Sequence, residues 1–527
     1  MKRLIKLSMA CLIPMSHCTS PEVADQTPIM GSLNLGKYQT GFKTLFVYDE
    51  SRSAVPYADW DGNLYQNQDP NHGRQYQINL WYPSQVGSGT PLKYEHYIHL
   101  MGRQTNFSNT PEQRTFARKI FINQTNDLGG DGNFTAKELD LLLELNVTAR
   151  SEAKPLDEQF PIVLFPNGGS PAYQSITAEY LTSHGYVVVA FAPKGRFSSL
   201  KEVSGIGLEV AIDDLEYVVG QVAQLPFVDI NNIGLMANAI GSSVCAAAIA
   251  RNDKYKGLVS LEGGLPSAFE QRLLRESVYY QPENITAPML FLYAPHPSID
   301  PQHTYHLQHS ERYYAHFPTM SEFVMLNYGM LDTFIPDIVG KQKAPPKEGF
   351  ETANKLMLRF LDIQLKGRQA ELFSQDFTSL SEKVIDSTFV LPAIPAAPNI
   401  ALMKNLFLKR GFDGIDSTYY ALKAEGAEKP LSMNFFSAYR SWLAWQKDPE
   451  YQHRARLYIL AYDSYPKSAE ANYYLGYYLQ KTGSLDSARA AYERTIQYLP
   501  ESDLSKDRRE TLMRYSQEGL EEIDQSK

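Results

Sequence analysis

Cysteine is scarce in this chain: three in 527 residues. Two of them, Cys11 and Cys18, stand within the first eighteen positions, and Cys245 is alone in the rest. An intramolecular disulfide framework is therefore excluded there, and stability has to come from a packed core. Cys245, set among alanines and a valine, reads as a small buried apolar residue. Positive charge is also short. Fifty Lys and Arg stand against 59 Asp and Glu, a net charge of −9. There is no basic footprint, so nucleic acid is not an expected partner. Past the N-terminus no apolar run approaches the ~20 residues of a membrane helix. A hydrophobic fraction of 43% with 21% charged residues fits folded domains, and the length implies two or three of them.

What is present begins with "MKRLIKLSMACLIPMSHCTSPEVADQ". Lys2, Arg3 and Lys6 form a positive start, and Leu7 to Met15 is a short apolar stretch. That is the pattern of an export signal rather than a span. Cys18, followed by polar residues, resembles the lipidated cysteine of a bacterial lipoprotein. His17 departs from that pattern, since a small residue is usual before the cysteine, and Cys11 is a rival position. The expectation is a signal over residues 1–18 and a chain exported to the bacterial cell envelope. It is lipid-anchored to a membrane through Cys18, or else periplasmic or secreted.

Strands are expected in "KTLFVYD" and "QYQINLWYP", which are rich in β-branched and aromatic residues. Further on, apolar runs alternate with helical patterns. "FPIVLFPNGGSP" is a strand ending in a glycine turn, "YQSITAEYLTSHG" a helix stopped at Gly185, and "YVVVAFAP" a strand buried on both faces. "EVAIDDLEYVVGQVAQL" is amphipathic; then come the strands "IGLMA", "GLVSLEGG" and "APMLFLYAP" and the helix "FETANKLMLRFLDIQLKG". Such alternation implies a mostly parallel sheet with helices on both faces.

The order of these pieces, from Gly36 to Arg368, resembles the α/β-hydrolase fold. More narrowly it resembles the branch of platelet-activating-factor acetylhydrolases and dienelactone hydrolases. The resemblance implies a serine esterase with a nucleophile on a strand–turn–helix elbow written G-x-S-x-G. Here the elbow stretch is "NNIGLMANAIGSSVCAAAIA". With Gly241 as the second glycine, the first falls on Ala237 and the nucleophile position on Ala239. A methyl group attacks nothing. By the same resemblance the acid falls on Glu262, after "GLVSLEGG", and the base on Met330 or Leu331 in "NYGMLDTFIPD". The oxyanion hole would be the backbone N–H groups of Ile240 and of the glycine pair Gly168 and Gly169. The nucleophile and base positions thus hold residues that cannot do that chemistry, and no cofactor is implied.

Other candidates stand nearby. Ser242 and Ser243 lie one turn into the elbow helix, where small residues also serve close packing. His296, His303, His306, His309 and His316 could supply a displaced base, and Asp300 a displaced acid. The three-residue steps from His303 to His309 drift around a helix, so a polar surface helix is expected in preference to a metal site. "DLGGDGNFTAKE", Asp127 to Glu138, resembles a calcium loop, with Gly129 at the third position where a side-chain oxygen is usual. Its alternative is a glycine turn capping the helix "AKELDLLLELN".

Beyond Gln369 the stretch "DFTSLSEKVIDSTFVLPAIPAAPN" reads as a proline-rich connector over residues 369–399. From Ile400 the chain is helical. "AEANYYLGYYLQKTGSLDSARAAYERTIQYLPES" resembles a tetratricopeptide repeat, with Leu475 and Gly476 letting two helices cross, Ala488 and Tyr492 between them, and Pro500 at the end. The expected organisation is an α/β-hydrolase-like domain over residues 36–368 and an all-α, repeat-like domain over 400–527. The expected function is a pseudohydrolase that binds a small acyl or ester ligand, with a protein partner on its helical domain. Two alternatives stay open: an active esterase with rearranged catalytic residues, and a repeat scaffold that uses the hydrolase-like domain as a spacer.

Overall fold

The computed structural model describes residues 28–53, 73–104, 107–129, 134–166, 170–195, 203–277, 280–373, 384–394, 399–446 and 451–526. Cys11, Cys18, Gly168 and Gly169 lie outside the described residues.

Eleven strands form one sheet. They are β1 (Gln39–Ser53), β2 (Gly73–Ser84), β3 (Thr90–Lys93), β4 (Asn146–Ser151), β5 (Phe160–Phe165) and β6 (Val187–Ala190). After these come β7 (Val228–Asn238), β8 (Tyr255–Leu261), β9 (Met289–Tyr293), β10 (Arg312–His316) and β11 (Ser387–Leu391). The spatial order is β11-β10-β9-β8-β7-β5-β6-β2-β1-β4-β3. From β6 through β5 to β10 every pairing is parallel. β1 and β2 pair antiparallel along almost their whole length, and β2 joins the parallel body antiparallel to β6. This is the α/β-hydrolase fold, followed by an all-α region of seven helices among the described residues.

Alternation along the strands builds two cores. Val163, Phe165, Val188, Ala190, Met236, Val259 and Leu290 enter one apolar cluster, and Ile162, Leu164, Val187, Val189, Leu235, Leu258 and Phe291 the other. Successive side chains point to opposite faces, so a strand covered by helices on both sides must be apolar at every position. That is why "YVVVAF" is continuous. Gly185, at φ +88°, ends the helix Ser175–Ser183 and turns the chain into β6; that left-handed conformation suits glycine.

Four features differ from the sequence reading. Ser387–Leu391, inside the expected connector, is β11 and pairs antiparallel with β10 at the sheet edge. Its alternating "STFVL" was outweighed in the sequence by the prolines that follow. Ile29, Met30 and Leu33, ahead of the expected start at residue 36, are buried in the first core cluster. The His303–His309 segment is a single 3-10 turn, Pro301–Thr304, followed by turns, not a helix. The helix Pro111–Gly129 runs through Asp127, the first position of the calcium-like loop. Glu138, its last position, accepts from the Thr135 backbone N–H at 2.6 Å and from the Thr135 hydroxyl at 3.0 Å, in a capping box on Ala136–Leu143. Residues 130–133 lie outside the described residues.

At the rim where the parallel strands end, a buried polar knot ties the opening hairpin to the helix Gly205–Val222. Asp214, fully buried, accepts from the Tyr76 hydroxyl at 2.5 Å and the Lys194 backbone N–H at 2.8 Å. Arg52 and Arg74 reach the same carboxylate at 3.0 and 3.3 Å. Burial, then the neighbouring Arg74 guanidinium, lowers the Lys194 ammonium to about 8. Removing one member of a buried ion pair strands the other charge in low dielectric. Asp214→Ala should therefore cost about 3–5 kcal/mol, read as a fall in the urea midpoint of the sheet domain. A loss below 1 kcal/mol would show that the knot is solvated.

The helical region has its own core, of which Tyr419, Phe436, Tyr439, Leu457 and Tyr458 are fully buried members. Gly476, on the helix Ala469–Lys481, faces Tyr492 on Leu485–Tyr498. A Cβ at that glycine would come within 2.9 Å of the Tyr492 ring. The bare backbone is what lets the two helices close.

Candidate functional site

β7 ends at Asn238, and the helix Ile240–Arg251 starts two residues later. The single residue between them is Ala239, at φ 45° and ψ −134°. This is a conformation that glycine tolerates and alanine pays for. The helix that follows is enclosed: every residue from Gly241 to Ala250 is buried. Small side chains let it sit against the sheet and against the helices Gly205–Val222 and Ala268–Glu276, with which it packs. A one-residue reversal from buried strand to buried helix leaves no room for a relaxed turn. The strand passes into the helix through one strained residue, and a methyl group stands at the tip of that turn.

Among the described residues no partner occupies the N–H groups of Ile240 and Gly241 in the first turn of that helix. The Ser242 N–H closes back on the Ala239 carbonyl at 2.9 Å. The first N–H groups of any helix lack partners within it, and here they follow the turn at Ala239 directly.

Glu262 follows β8 directly. Its backbone is also left-handed, at φ 62°, and its side chain is buried. The turn is therefore not a solvent-facing one. The Asn238 side-chain amide donates to the Glu262 carboxylate at 3.4 Å. The elbow strand and the acid position are thus brought together through the residue that precedes Ala239. Ser242 donates to the Ala237 carbonyl at 3.2 Å and lies 3.2 Å from the Ser260 hydroxyl. Ser243 donates to the Glu270 carbonyl at 3.4 Å. Both hydroxyls are fully buried and bonded within the packing, and neither is hydrogen-bonded to a histidine.

Met330 and Leu331 lie on the short helix Tyr328–Leu331, fully buried. Met330 packs under the N-terminal turn, with its Cε 2.6 Å from where a Cβ on Gly31 would stand. The structure joins it to that apolar layer and not to the Asn238–Glu262 pair. The residue of this loop that makes polar contacts toward the oxyanion segment is Asn327. Its N–H donates to the Tyr173 carbonyl at 2.8 Å, and its amide donates to the Ala172 carbonyl at 2.8 Å and the Ser175 hydroxyl at 2.9 Å. Its side-chain oxygen accepts the Ile176 N–H at 3.2 Å. Nothing in "LNYG" signals such a clamp, because its partners stand some 150 positions earlier.

The candidate histidines diverge. His303 contacts the Pro266 carbonyl at 2.8 Å, His306 the Tyr280 hydroxyl at 3.0 Å, and His309 the Ile394 carbonyl at 3.0 Å. Among the described residues no three His, Cys, Asp or Glu side chains gather as a metal site. His296 and His316 are different, because they line one shallow cleft of about 380 Å³ with Tyr293, Ala294, Pro295, Pro297 and Ile299. Asp300, the displaced-acid candidate, caps the 3-10 turn Pro301–Thr304.

No protein-family model and no curated protein matches the chain. Solved structures do. A ferulic acid esterase from Streptomyces cinnamoneus is 16% identical, with a TM-score of 0.45, over 68% of this chain and 97% of the other. An acylaminoacyl peptidase from Pyrococcus horikoshii is 18% identical, with a TM-score of 0.31, over 42% of this chain and 39% of the other. A protein described as a dipeptidyl aminopeptidase IV from Bacteroides ovatus is 12% identical, with a TM-score of 0.32, over 62% and 36%.

The strain at Ala239 is measurable. Ala239→Gly removes the Cβ from a backbone that disfavours it, against a small entropic cost in the unfolded chain. The variant should be more stable by about 1 kcal/mol, seen as a higher urea midpoint with an unchanged slope. A loss of stability would mean that the turn is relaxed in the native chain.

Proposed function

We propose that this chain is a pseudohydrolase of the acetylhydrolase and dienelactone-hydrolase-like branch, which binds an acyl or ester ligand at the elbow without turning it over. The observation that carries the reading is Ala239 itself: a strained backbone where strand turns to helix, as in a nucleophile elbow, and no oxygen or sulfur on the side chain. The buried Ser242 and Ser243 add support, since each hydroxyl is bonded to a backbone carbonyl within the packing. So does Met330, a buried core side chain at the position that the resemblance gives to the base. In this reading the backbone cradle holds a carbonyl or carboxylate oxygen, and the missing nucleophile prolongs its stay.

The helical region is proposed as a tetratricopeptide-like module that holds a protein partner. Gly476 and Tyr492 meet as such a helix pair requires. Export through the N-terminal signal, with Cys18 as a lipid anchor in the bacterial cell envelope, belongs to the same proposal. One contact favours the rival, an active esterase with rearranged residues: the Ser298 hydroxyl lies 2.7 Å from His296 Nδ1 in the cleft. The Ser298 backbone N–H donates to that same nitrogen at 3.2 Å, as in a local turn.

The test uses the chain from Thr19 onward, with a panel of short and medium acyl esters and a fluorophosphonate serine probe. The wild type should bind esters saturably, release them unchanged and take no probe. Ala239→Trp, which fills the cradle, should weaken ester binding at least tenfold. Turnover by the wild type that disappears in Ser298→Ala, Ser242→Ala or Ser243→Ala would defeat the reading and establish the rival.

A further inference from the structure

The shallow cleft at the ends of β9 and β10 carries chemistry that the elbow does not use. Two imidazoles line it, and their surroundings fix their tautomers in opposite senses. His296 Nδ1 receives the backbone N–H of Ser298 at 3.2 Å. A backbone N–H can only donate, so Nδ1 is the lone-pair nitrogen and the ring proton sits on Nε2. The Ser298 hydroxyl lies 2.7 Å from the same nitrogen. His316 Nδ1 faces the Asp386 carboxylate at 2.7 Å. An ionised carboxylate can only accept, so here Nδ1 carries the proton and Nε2 keeps the lone pair. Neither Nε2 is hydrogen-bonded to another of the described residues. One cleft is therefore offered an N–H donor by His296 and a nitrogen acceptor by His316.

The other walls are flat and apolar: Pro295, Pro297, Ile299 and the Tyr293 ring, which lies against His316 with centroids 5.0 Å apart. Among the described residues no lysine or arginine lines the cleft, and the Asp386 carboxylate on His316 repels anions. Its volume lies in the lower part of the range for small-molecule sites, about 300–1,000 Å³. A hydroxyl group both donates and accepts. A ring with neighbouring hydroxyls on its edge and C–H groups on its face therefore satisfies both imidazoles while covering the prolines and the tyrosine.

We infer that this cleft is a binding site for a neutral sugar ring, read by the donor His296 and the acceptor His316. It is separate from the elbow. β9 stands two strands from β7 in the sheet, about 10 Å at ordinary strand spacing. Ile299 nonetheless packs on Gly263, the residue after Glu262, where a Cβ would meet it at 3.1 Å. The sugar site and the acid position thus share a wall.

Two-bond ¹H–¹⁵N spectra of histidine-labelled full chain, from Thr19 onward, read the tautomers directly. His296 should be protonated at Nε2 and His316 at Nδ1, and both rings should shift saturably on titration with xylobiose or cellobiose. Asp386→Asn places an amide against Nδ1 and frees the His316 proton to move to Nε2. It should weaken disaccharide binding about tenfold, the worth of one hydrogen bond. His296→Gln, which keeps an N–H donor, should weaken it less than His296→Leu. Ala239→Trp should leave disaccharide binding unchanged whatever it does to esters, so the two sites fail or stand separately. Equal tautomers on the two rings, no shift with either disaccharide, or tighter binding of glucuronate than of the neutral sugars would overturn the inference.

Discussion

Everything at the candidate site depends on how deeply the helix Ile240–Arg251 is enclosed. It is pressed between the sheet and two further helices, and its residues are small because nothing larger fits. Close-packed interiors transmit such constraints to their edges. With β7 also buried, the chain has one residue in which to reverse, and that residue takes a left-handed backbone. The tight turn follows from the packing, which holds it whatever side chain stands at its tip.

The loops and outer strands of the sheet domain are set by polar contacts that span long sequence distances. Asn327 ties the loop after β10 to the segment that follows the glycine pair. Glu179, fully buried on the helix Ser175–Ser183, accepts from the Thr148 N–H and the Tyr97 hydroxyl, both at 2.7 Å. Burial pushes its carboxyl above the usual range, while those donors pull it back. Asp214 does the same service on the other side, where it gathers Arg52, Arg74 and Tyr76. Buried polar groups of this kind are worth having only when satisfied. Each one fixes a loop that the apolar core alone would leave free to slide.

The fold was legible where periodicity and burial speak together. Continuous apolar runs gave the central strands, because a strand covered on both faces has no polar option. The tight strand-to-helix turn was legible from "ANAIGSS", since small residues after a strand imply a helix pressed close. Gly476 announced its helix crossing for the same reason. What escaped was pairing at a distance. β11 carries an alternating pattern too short to outweigh its prolines, and its partner β10 is some 70 positions away. Asn327 is an ordinary residue in an ordinary loop until its partners at Ala172 and Ser175 are known. The His316–Asp386 pair likewise becomes visible only when β11 folds back beside β10. The calcium-like spacing erred in the other direction. Its glutamate has a local use in a capping box, and local hydrogen bonds form before a distant ligand can compete.

An alanine at a strained position is informative because a cheaper residue exists. Glycine would adopt φ 45° at little cost, and a looser loop would remove the strain altogether. The chain keeps neither solution. It keeps the turn, the helix start that follows it, and Glu262 bonded to the neighbouring Asn238. A backbone cradle without a nucleophile still lowers the free energy of an oxygen placed in it, because hydrogen-bond donors act on charge whether or not a bond is being made. What it loses is the difference between ground state and transition state on which turnover rests.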